Sequence, residues 1–289
     1  MSTLAGLTAP GTRGRGARRR QWWRYAAVAP AALITLAIVF APLLAPYPPN
    51  AQDLASMSQP PSLTDGHLFG TDLFGRDVFS RVLHGGRPPL LIGVLAVAAA
   101  VAVGVAFGVL AGFRGGRLDS VLARVADIQL SVPGIVIALF VLAMLGGGFV
   151  NVILVIALES WPLHFRVTRA LAQGLRNRAF VEAARVFGLP TRTIITRHLV
   201  PALLPVIAVT ATANFVTAVL MEASLSFLGL GIQPPTADWG LMVSLGRTQI
   251  ASAWWVSVFS GLALAALLFS AQLLGDALAK RFSLEGADT

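Results

Sequence analysis

The stretch from Pro88 to Phe113 reads PPLLIGVLAVAAAVAVGVAFGVLAGF and contains no charged residue. It is longer than the roughly 20 residues that an α-helix needs to cross a bilayer. A second charge-free run extends from Leu199 to Met221. Across the chain only 12% of residues are charged and 56% are hydrophobic. A soluble domain rarely has this composition, because most of its surface must be hydrated. The sequence therefore predicts an all-α polytopic membrane protein, because helices satisfy their own backbone hydrogen bonds in lipid.

Apolar runs and the turns between them predict about six transmembrane helices. The predicted spans are residues 25–45, 88–112, 121–145, 149–170, 200–221 and 252–275. They divide the chain into a basic tail (1–24), a first span (25–45), an outer loop (46–86), a core with five spans (87–276) and a short tail (277–289). The first span is predicted to be an uncleaved signal anchor, because its apolar stretch exceeds the usual length of about 7–15 residues in a signal peptide.

The basic residues predict the orientation. If the N-terminus is inside, all but four of the 22 lysines and arginines lie on cytoplasmic segments. The exceptions are Arg76, Arg81, Arg87 and Arg247. This positive-inside bias places both termini in the cytoplasm. Membrane insertion and anionic lipid also account for the net charge of +9, so nucleic acid is not an expected partner. The absence of cysteine excludes disulfides and thiolate metal sites.

Between the fourth and fifth predicted spans lies the basic stretch VEAARVFGLPTRTIITRHLVP, residues Val181 to Pro201. Gly188 is predicted to end a first helix in a left-handed cap, and Thr191 to cap a second helix that runs to His198. On residue chemistry alone two interpretations stay open. The pair is either an amphipathic loop on the membrane surface or a knob that docks into a groove on a cytoplasmic partner.

The spacing of this stretch resembles the EAA loop of ATP-binding cassette (ABC) importer permeases. The matching residues are Glu182, Ala183, Ala184, Gly188, Ile194, His198 and Pro201. The resemblance implies a type I ABC importer permease fold, in which residues 171–199 form a coupling loop held by an ATPase subunit. It implies that Ala183 and Ala184 pack against that subunit, that Gly188 permits the turn, and that Glu182 orients the loop or meets a base of the ATPase. Arg185 and His198 are assigned to the same coupling surface.

Two further segments extend the resemblance. HLFGTDLFGRDVFSRVLHGGR (His67 to Arg87) and FLGLGIQPPTADWGLMVSLGR (Phe227 to Arg247) resemble segments of dipeptide, oligopeptide and nickel-type permeases, above all of their second, shorter permease subunit. This resemblance implies a bacterial cytoplasmic membrane protein that carries short peptides, with nickel chelates, haem or glutathione-like molecules as alternatives. It implies as partners a second homologous permease subunit, two cytoplasmic ATPase subunits or domains, and an extracytoplasmic substrate-binding protein.

The energy source is expected to lie in another chain. A phosphate-binding P-loop requires a lysine after a glycine-rich loop, and Lys280, the one lysine, has no such context. ATP and Mg²⁺ are therefore expected on partner ATPase subunits, with no cofactor and no catalysis in this chain. Two competing classes are an ion-driven secondary transporter and an intramembrane hydrolase. A secondary transporter would show internal repeats, and an intramembrane hydrolase would show a Ser/His constellation within its spans. The sequence favours neither class.

Glu159 is an acid near the middle of the fourth predicted span. A carboxylate there costs roughly 2.5–3.5 kcal/mol on insertion scales, so we expect it to face a cavity or a partner. In one interpretation Glu159, beside Trp161, lines the substrate path and attracts a cationic group. In the other it pairs with Arg166 or with the partner permease.

The predicted outer loops allow two interpretations each. Residues 229–240, with Gln233, Asp238 and Trp239, are predicted to help form an outer gate, or else a rigid connector with Trp239 anchored at the membrane interface. Residues 75–84 are predicted to form a short helix that packs on the spans or contacts the binding protein.

Overall fold

The computed structural model describes residues 28–64 and 66–285, and in that part of the chain the regular elements are helices, with one isolated β-bridge. The helices are α1 (Val28–Val39), α2 (Ala41–Leu44), α3 (Val78–Gly85), α4 (Arg87–Arg114), α5 (Gly116–Leu130), α6 (Gly134–Leu145), α7 (Phe149–Arg176), α8 (Ala179–Val186), α9 (Thr191–Ile194), α10 (Val200–Phe227), α11 (Trp239–Arg247) and α12 (Trp254–Glu285). The prediction of an all-α membrane fold is confirmed. The basic tail and the first residues of the first predicted span lie outside the described residues.

Four continuous helical segments are long and apolar enough to cross a membrane. They are Val78–Arg114, Phe149–Arg176, Thr191–Phe227 and Trp254–Phe282. They correspond to the second, fourth, fifth and sixth predicted spans, and all four continue beyond the predicted C-terminal ends. The helix of the fourth span begins at the predicted residue 149, and the helix of the sixth begins two residues later than predicted. The described part of the first predicted span consists of the shorter helices α1 and α2. We call the end that carries α8 the inner end and the end that carries α3 and α11 the outer end, following the predicted orientation.

The third predicted span, residues 121–145, is not one straight helix. Helices α5 and α6 meet at an angle of 85°, and Pro133 precedes the first residue of α6. Proline cannot donate a hydrogen bond into a helix and biases the residue before it away from helical geometry, which explains the break. Helix α5 carries Asp119 and Asp127, and both acids pair with arginines of α7. A charged helix of this kind is unsuited to lipid, and α6, with 12 residues, is about 18 Å long and crosses only part of a hydrocarbon core about 30 Å thick.

Helices α4 and α7 make the closest helix pair of the bundle. Gly104, Gly108 and Gly112 recur at four-residue spacing on one face of α4, and each lies against the backbone of α7. A Cβ atom on Gly108 would overlap Thr168 Oγ1 and the Phe165 carbonyl oxygen. Small residues at this spacing let two membrane helices approach closely, which is how helices associate in lipid without a hydrophobic driving force.

The outer end is closed by helix packing and a buried ionic cluster. Helix α3 packs through Val78 and Val82 against residues of α11 and α12, as the first interpretation of residues 75–84 predicted. Beside it, Asp72 Oδ2 accepts a 2.7 Å hydrogen bond from Arg76 Nε and lies 3.8 Å from Arg81 Nε. All three side chains are almost completely buried, so the ion pairs are shielded from water and fix the loop that precedes α3.

The α4–α7 contact generates a stability prediction. Gly108→Ala should lower the free energy of unfolding in detergent by about 1–3 kcal/mol, because the added methyl group overlaps α7. Gly174→Ala is the matched control: this glycine of α7 has open space where a Cβ would lie, so we expect an unchanged or slightly higher melting temperature. Equal melting temperatures for the two variants would contradict the close α4–α7 packing.

Candidate coupling surface and translocation pathway

Helix α8 is a short helix at the inner end with a well-formed C-terminal cap. Gly188 has φ +74°, its N–H donates to the Arg185 carbonyl at 2.9 Å, and the Leu189 N–H donates to the Ala184 carbonyl at 3.1 Å. These two bonds form a Schellman motif, which satisfies helix carbonyls and favours glycine at the left-handed position. The predicted cap at Gly188 is confirmed.

One face of α8 belongs to the core of the membrane helices. Val181 and Ala184 are buried in a cluster with Val109 and Phe113 of α4 and Leu203 of α10. The two α8 residues are three positions apart and therefore lie on the same helix face. Ala184 is thus covered by this chain itself, contrary to the expectation that both alanines face a partner subunit.

The opposite face of α8 is exposed and partly apolar. Glu182 and Ala183 are exposed, and the exposed fractions of Val186 and Phe187 are 81% and 84%. We call these four residues the α8 patch. The guanidinium of Arg185 lies 5.1 Å from the Phe113 ring centroid, so this residue braces α8 against α4. A fully exposed phenylalanine beside a valine is typical of a surface that a partner covers.

The second half of the predicted coupling loop is the start of the next spanning helix. Helix α9 passes through a π-helical turn, Ile195–Leu199, directly into α10. Thr191 is the first residue of α9, and no side chain caps this helix, so the predicted Thr191 cap is wrong. His198 lies exposed in the π-helical turn. Any displacement of α9 is therefore transmitted to α10 without an intervening loop.

Glu159 begins a chain of polar side chains between α7 and α10. Its Oε2 accepts a 3.1 Å hydrogen bond from Ser160 Oγ, which accepts one of 3.2 Å from Asn214 Nδ2. Asn214 Oδ1 lies 3.3 Å from His164 Nε2, so this nitrogen of the imidazole carries the proton. We call Glu159, Ser160, Asn214 and His164 the α7–α10 polar chain. It joins two spanning helices at a depth where unsatisfied polar groups are costly.

Arg166, the residue of this chain that was predicted to pair with Glu159, pairs with a different acid. Arg166 pairs with Asp127 at 2.5 Å, and among the ion pairs of residues 28–64 and 66–285 none involves Glu159. Trp161, predicted to lie on the substrate path, is buried, and its Nε1 donates to Gln129 Oε1 at 2.9 Å. Of these two candidates, Glu159 is the one that remains partly accessible.

The loop after α10 packs on the glycine turn between α6 and α7. Gln233 is exposed, and its side-chain amide donates to the carbonyls of Gly229 and Gly231 at 3.0 and 3.2 Å. The Gly148 N–H also donates to the Gly231 carbonyl, at 3.1 Å. This loop therefore closes over the outer end of α6 and α7, where a gate is expected.

Trp239 and Asp238 hold the loop to the rest of the protein. Trp239 is buried and its Nε1 donates to the Val82 carbonyl at 2.8 Å, so it does not anchor at a membrane interface. Asp238 caps α11 through a 2.9 Å bond from the Leu241 N–H, and burial raises the pKa of its carboxyl group. Its carboxyl group lies beside that of Glu222, an equally buried residue of α10.

Sequence reasoning missed the polar chain, the buried ionic cluster and the α4 glycine face. Asn214 could have been found, because it is an amide within the charge-free run of residues 199–221. The glycines of α4 could have been found from their four-residue spacing. The Asp72–Arg76–Arg81 cluster gives no such signal, because nothing in its spacing distinguishes it from an exposed polar loop.

Comparison with known proteins agrees with this architecture. Residues 104–284 match the family model described as "Binding-protein-dependent transport system inner membrane component". The match covers more than half of the chain and includes α5 to α11. The chain belongs to this family of ABC importer permeases and is a multi-pass component of the bacterial inner membrane, which confirms the predicted family.

Curated relatives cover most of the chain. It is 39% identical over 244 residues to the probable D,D-dipeptide transport system permease protein DdpC of Escherichia coli (strain K12), covering 84% of this chain and 81% of that protein. It is 39% identical over 250 residues to the di/tripeptide transport system permease protein DppC of Pseudomonas aeruginosa, covering 85% and 82%. It is 40% identical over 261 residues to the glutathione transport system permease protein GsiD of Shigella flexneri, covering 90% and 86%.

A solved structure supports the fold. The inward-facing MetNI methionine ABC transporter aligns with a TM-score of 0.57 and 19% identity, covering 70% of this chain and 96% of that chain. The predicted importer-permease fold is confirmed.

The Asp238 cap generates a second prediction. Asp238→Asn should leave the melting temperature in detergent nearly unchanged, because asparagine also caps helices and its amide can donate to Glu222. Asp238→Ala should lower the free energy of unfolding by about 1–2 kcal/mol, because it removes a buried cap. Asp53→Ala, which removes an exposed cap of a 3₁₀ turn, is the control and should have a smaller effect. Equal stability of the alanine and asparagine variants at position 238 would contradict the capping role.

Proposed function

We propose that this chain is the permease subunit of an ABC importer that carries short peptides across the bacterial cytoplasmic membrane. It would work with a second homologous permease subunit, two cytoplasmic ATPase subunits or domains, and an extracytoplasmic peptide-binding protein. ATP and Mg²⁺ would be bound by the ATPase subunits, and this chain would carry no catalytic residue. The relatives named for dipeptides and di/tripeptides support the substrate class.

The observation that carries the proposal is the two-faced character of α8. Its outward face presents the exposed side chains of Val186 and Phe187. Its inward face, with Val181 and Ala184, shares a core with α4, α7 and α10. A force applied to the α8 patch would therefore act on three spanning segments at once, because protein cores are close-packed and transmit displacement.

Alternating access follows from this arrangement. ATP binding would bring the two ATPase subunits together and move the docked α8 patch as a rigid lever. Helix α10 would move with it, because α9 continues into α10 through the π-helical turn. The pathway would then open toward the binding protein, and reopening after hydrolysis would release the peptide inside. With the N-terminus inside, α8 lies on the cytoplasmic side, as the basic residues require.

A glutathione-like tripeptide is the second candidate substrate, because GsiD is as similar to this chain as the dipeptide permeases are.

Uptake of labelled peptides by the complete transporter in proteoliposomes, supplied with binding protein, tests both the substrate and the energy source. We expect uptake of dipeptides or tripeptides that requires ATP and is insensitive to a protonophore. Uptake that persists without ATP and is abolished by the protonophore would assign the chain to an ion-driven transporter instead.

A charge introduced into the α8 patch should prevent the ATPase subunits from binding. Phe187→Glu is expected to abolish co-purification of the ATPase subunits and to reduce ATP-driven uptake at least tenfold, because the carboxylate would be buried in an apolar contact. Glu182→Lys and Gly188→Pro should also abolish uptake, the latter because proline cannot adopt the φ of +74°.

Ile250→Glu is the matched control, since Ile250 is an exposed apolar side chain between α11 and α12 at the outer end. It should retain the ATPase subunits. Full uptake by Phe187→Glu, at normal amounts in the membrane, would contradict the docking role of the α8 patch.

A further inference from the structure

The break between α5 and α6 lies near the middle of the membrane. Helix α7 begins at Phe149, beside the end of α6, and Glu159 follows ten residues later. At about 1.5 Å per residue this is about 15 Å, or half of a hydrocarbon core about 30 Å thick. Glu159 lies against Gly134, the first residue of α6, so the break is at the same depth.

Residues at this break are exposed in the isolated chain. Ser131, Val132 and Pro133 are exposed, and none of them is helical. Non-helical backbone at membrane depth is tolerated where it is buried in protein or lines a water-filled cavity, because lipid cannot satisfy its polar groups. The break therefore faces either the partner permease or the pathway between the two permeases.

The Glu159 carboxylate points at this break without a cation to neutralise it. Its side chain occupies the space where a Cβ on Gly134 would lie. The side-chain hydrogen bond that the Glu159 carboxylate accepts comes from the neutral hydroxyl group of Ser160. The two arginines that follow on α7, Arg166 and Arg169, pair with Asp127 and Asp119 of α5. The described part of the chain thus holds a carboxylate at mid-membrane with no ionic partner of its own.

Glu159 is held in place by groups that cannot neutralise it. Ser160 and Asn214 fix one oxygen through the α7–α10 polar chain. The N-terminus of α6 lies beside the carboxylate, and the positive end of the helix dipole offsets part of the cost of a charge at this depth. The arrangement keeps the acid oriented toward the break and leaves it able to accept a charge-assisted hydrogen bond.

We infer that Glu159 is the point on the translocation pathway that receives an ammonium group of the transported peptide. This inference rests on the proposed function. A peptide carries an ammonium group at its N-terminus, and a lysine side chain can supply a second. An ammonium ion in a site screened from water needs a counter-charge, which Glu159 supplies half-way across the membrane. Because Ser160 also accepts a hydrogen bond from Asn214 of α10, an ion held at Glu159 is linked through Ser160 to the helix that continues from α9.

The test measures turnover of the complete transporter in proteoliposomes at saturating concentrations of peptide-loaded binding protein, so that delivery does not limit the rate. Glu159→Gln should lower the rate of peptide uptake about tenfold or more, because a charge-assisted hydrogen bond to the ammonium group is lost. Glu159→Asp should restore part of the rate. Asp127→Asn is the matched control: it removes an exposed acid from α5 and should keep wild-type turnover. ATP hydrolysis stimulated by loaded binding protein should persist in all three variants.

Two peptides identify the source of the ammonium group. If Glu159→Gln slows Ala-Ala and Ala-Lys equally, the N-terminal ammonium is the ligand; if it slows Ala-Lys alone, the lysine side chain is. Wild-type turnover of both peptides by Glu159→Gln would overturn the inference, as would loss of the second permease subunit from the variant complex, which would make Glu159 an interface residue. Absence of ATP-driven peptide uptake by the wild-type transporter would instead overturn the proposed function.

Discussion

The packing of α8 onto the membrane helices is the interaction on which the other features depend. Val181 and Ala184 lie in the same core as Phe113 of α4 and Leu203 of α10, and this core ties the exposed helix to the spans. The Schellman cap at Gly188 then turns the chain back into α9, which joins α10 without a loop. A surface helix with this attachment cannot move independently of the bundle, so a partner that grips it moves the bundle.

The spans themselves divide into rigid and adaptable parts. The glycine face of α4 locks α4 to α7, and the buried ionic cluster and the Trp239 contact lock the outer end. The α5–α6 break and the loop over the α6–α7 turn are the irregular elements. In transport proteins, irregular backbone at membrane depth is found where substrates pass, because it supplies polar groups and hinges. The carboxylate of Glu159 lies at this break.

Sequence patterns predicted the features that depend on local chemistry. Charge-free runs gave the spans, and Gly188 gave the cap of α8, because hydrophobic length and left-handed geometry are each encoded by a few neighbouring residues. Features that depend on long-range packing were not predictable. The burial of Ala184 and Trp161 reflects contacts with α4 and α5, and the partner of Arg166 proved to be Asp127 rather than Glu159. The proline at 133 was visible in the sequence, but the 85° bend it accompanies was not.

The most direct test of the account is a crosslink from the α8 patch. The chain has no cysteine, so Phe187→Cys introduces a single thiol at an exposed position, and Ala184→Cys places one on the buried face of the same helix. In membranes that contain the complete transporter, the account predicts efficient crosslinking of position 187 to an ATPase subunit, with a yield that changes when ATP binds, and little crosslinking of position 184. Labelling of position 187 by an impermeant reagent from the outer compartment, or no crosslink to an ATPase subunit, would contradict it.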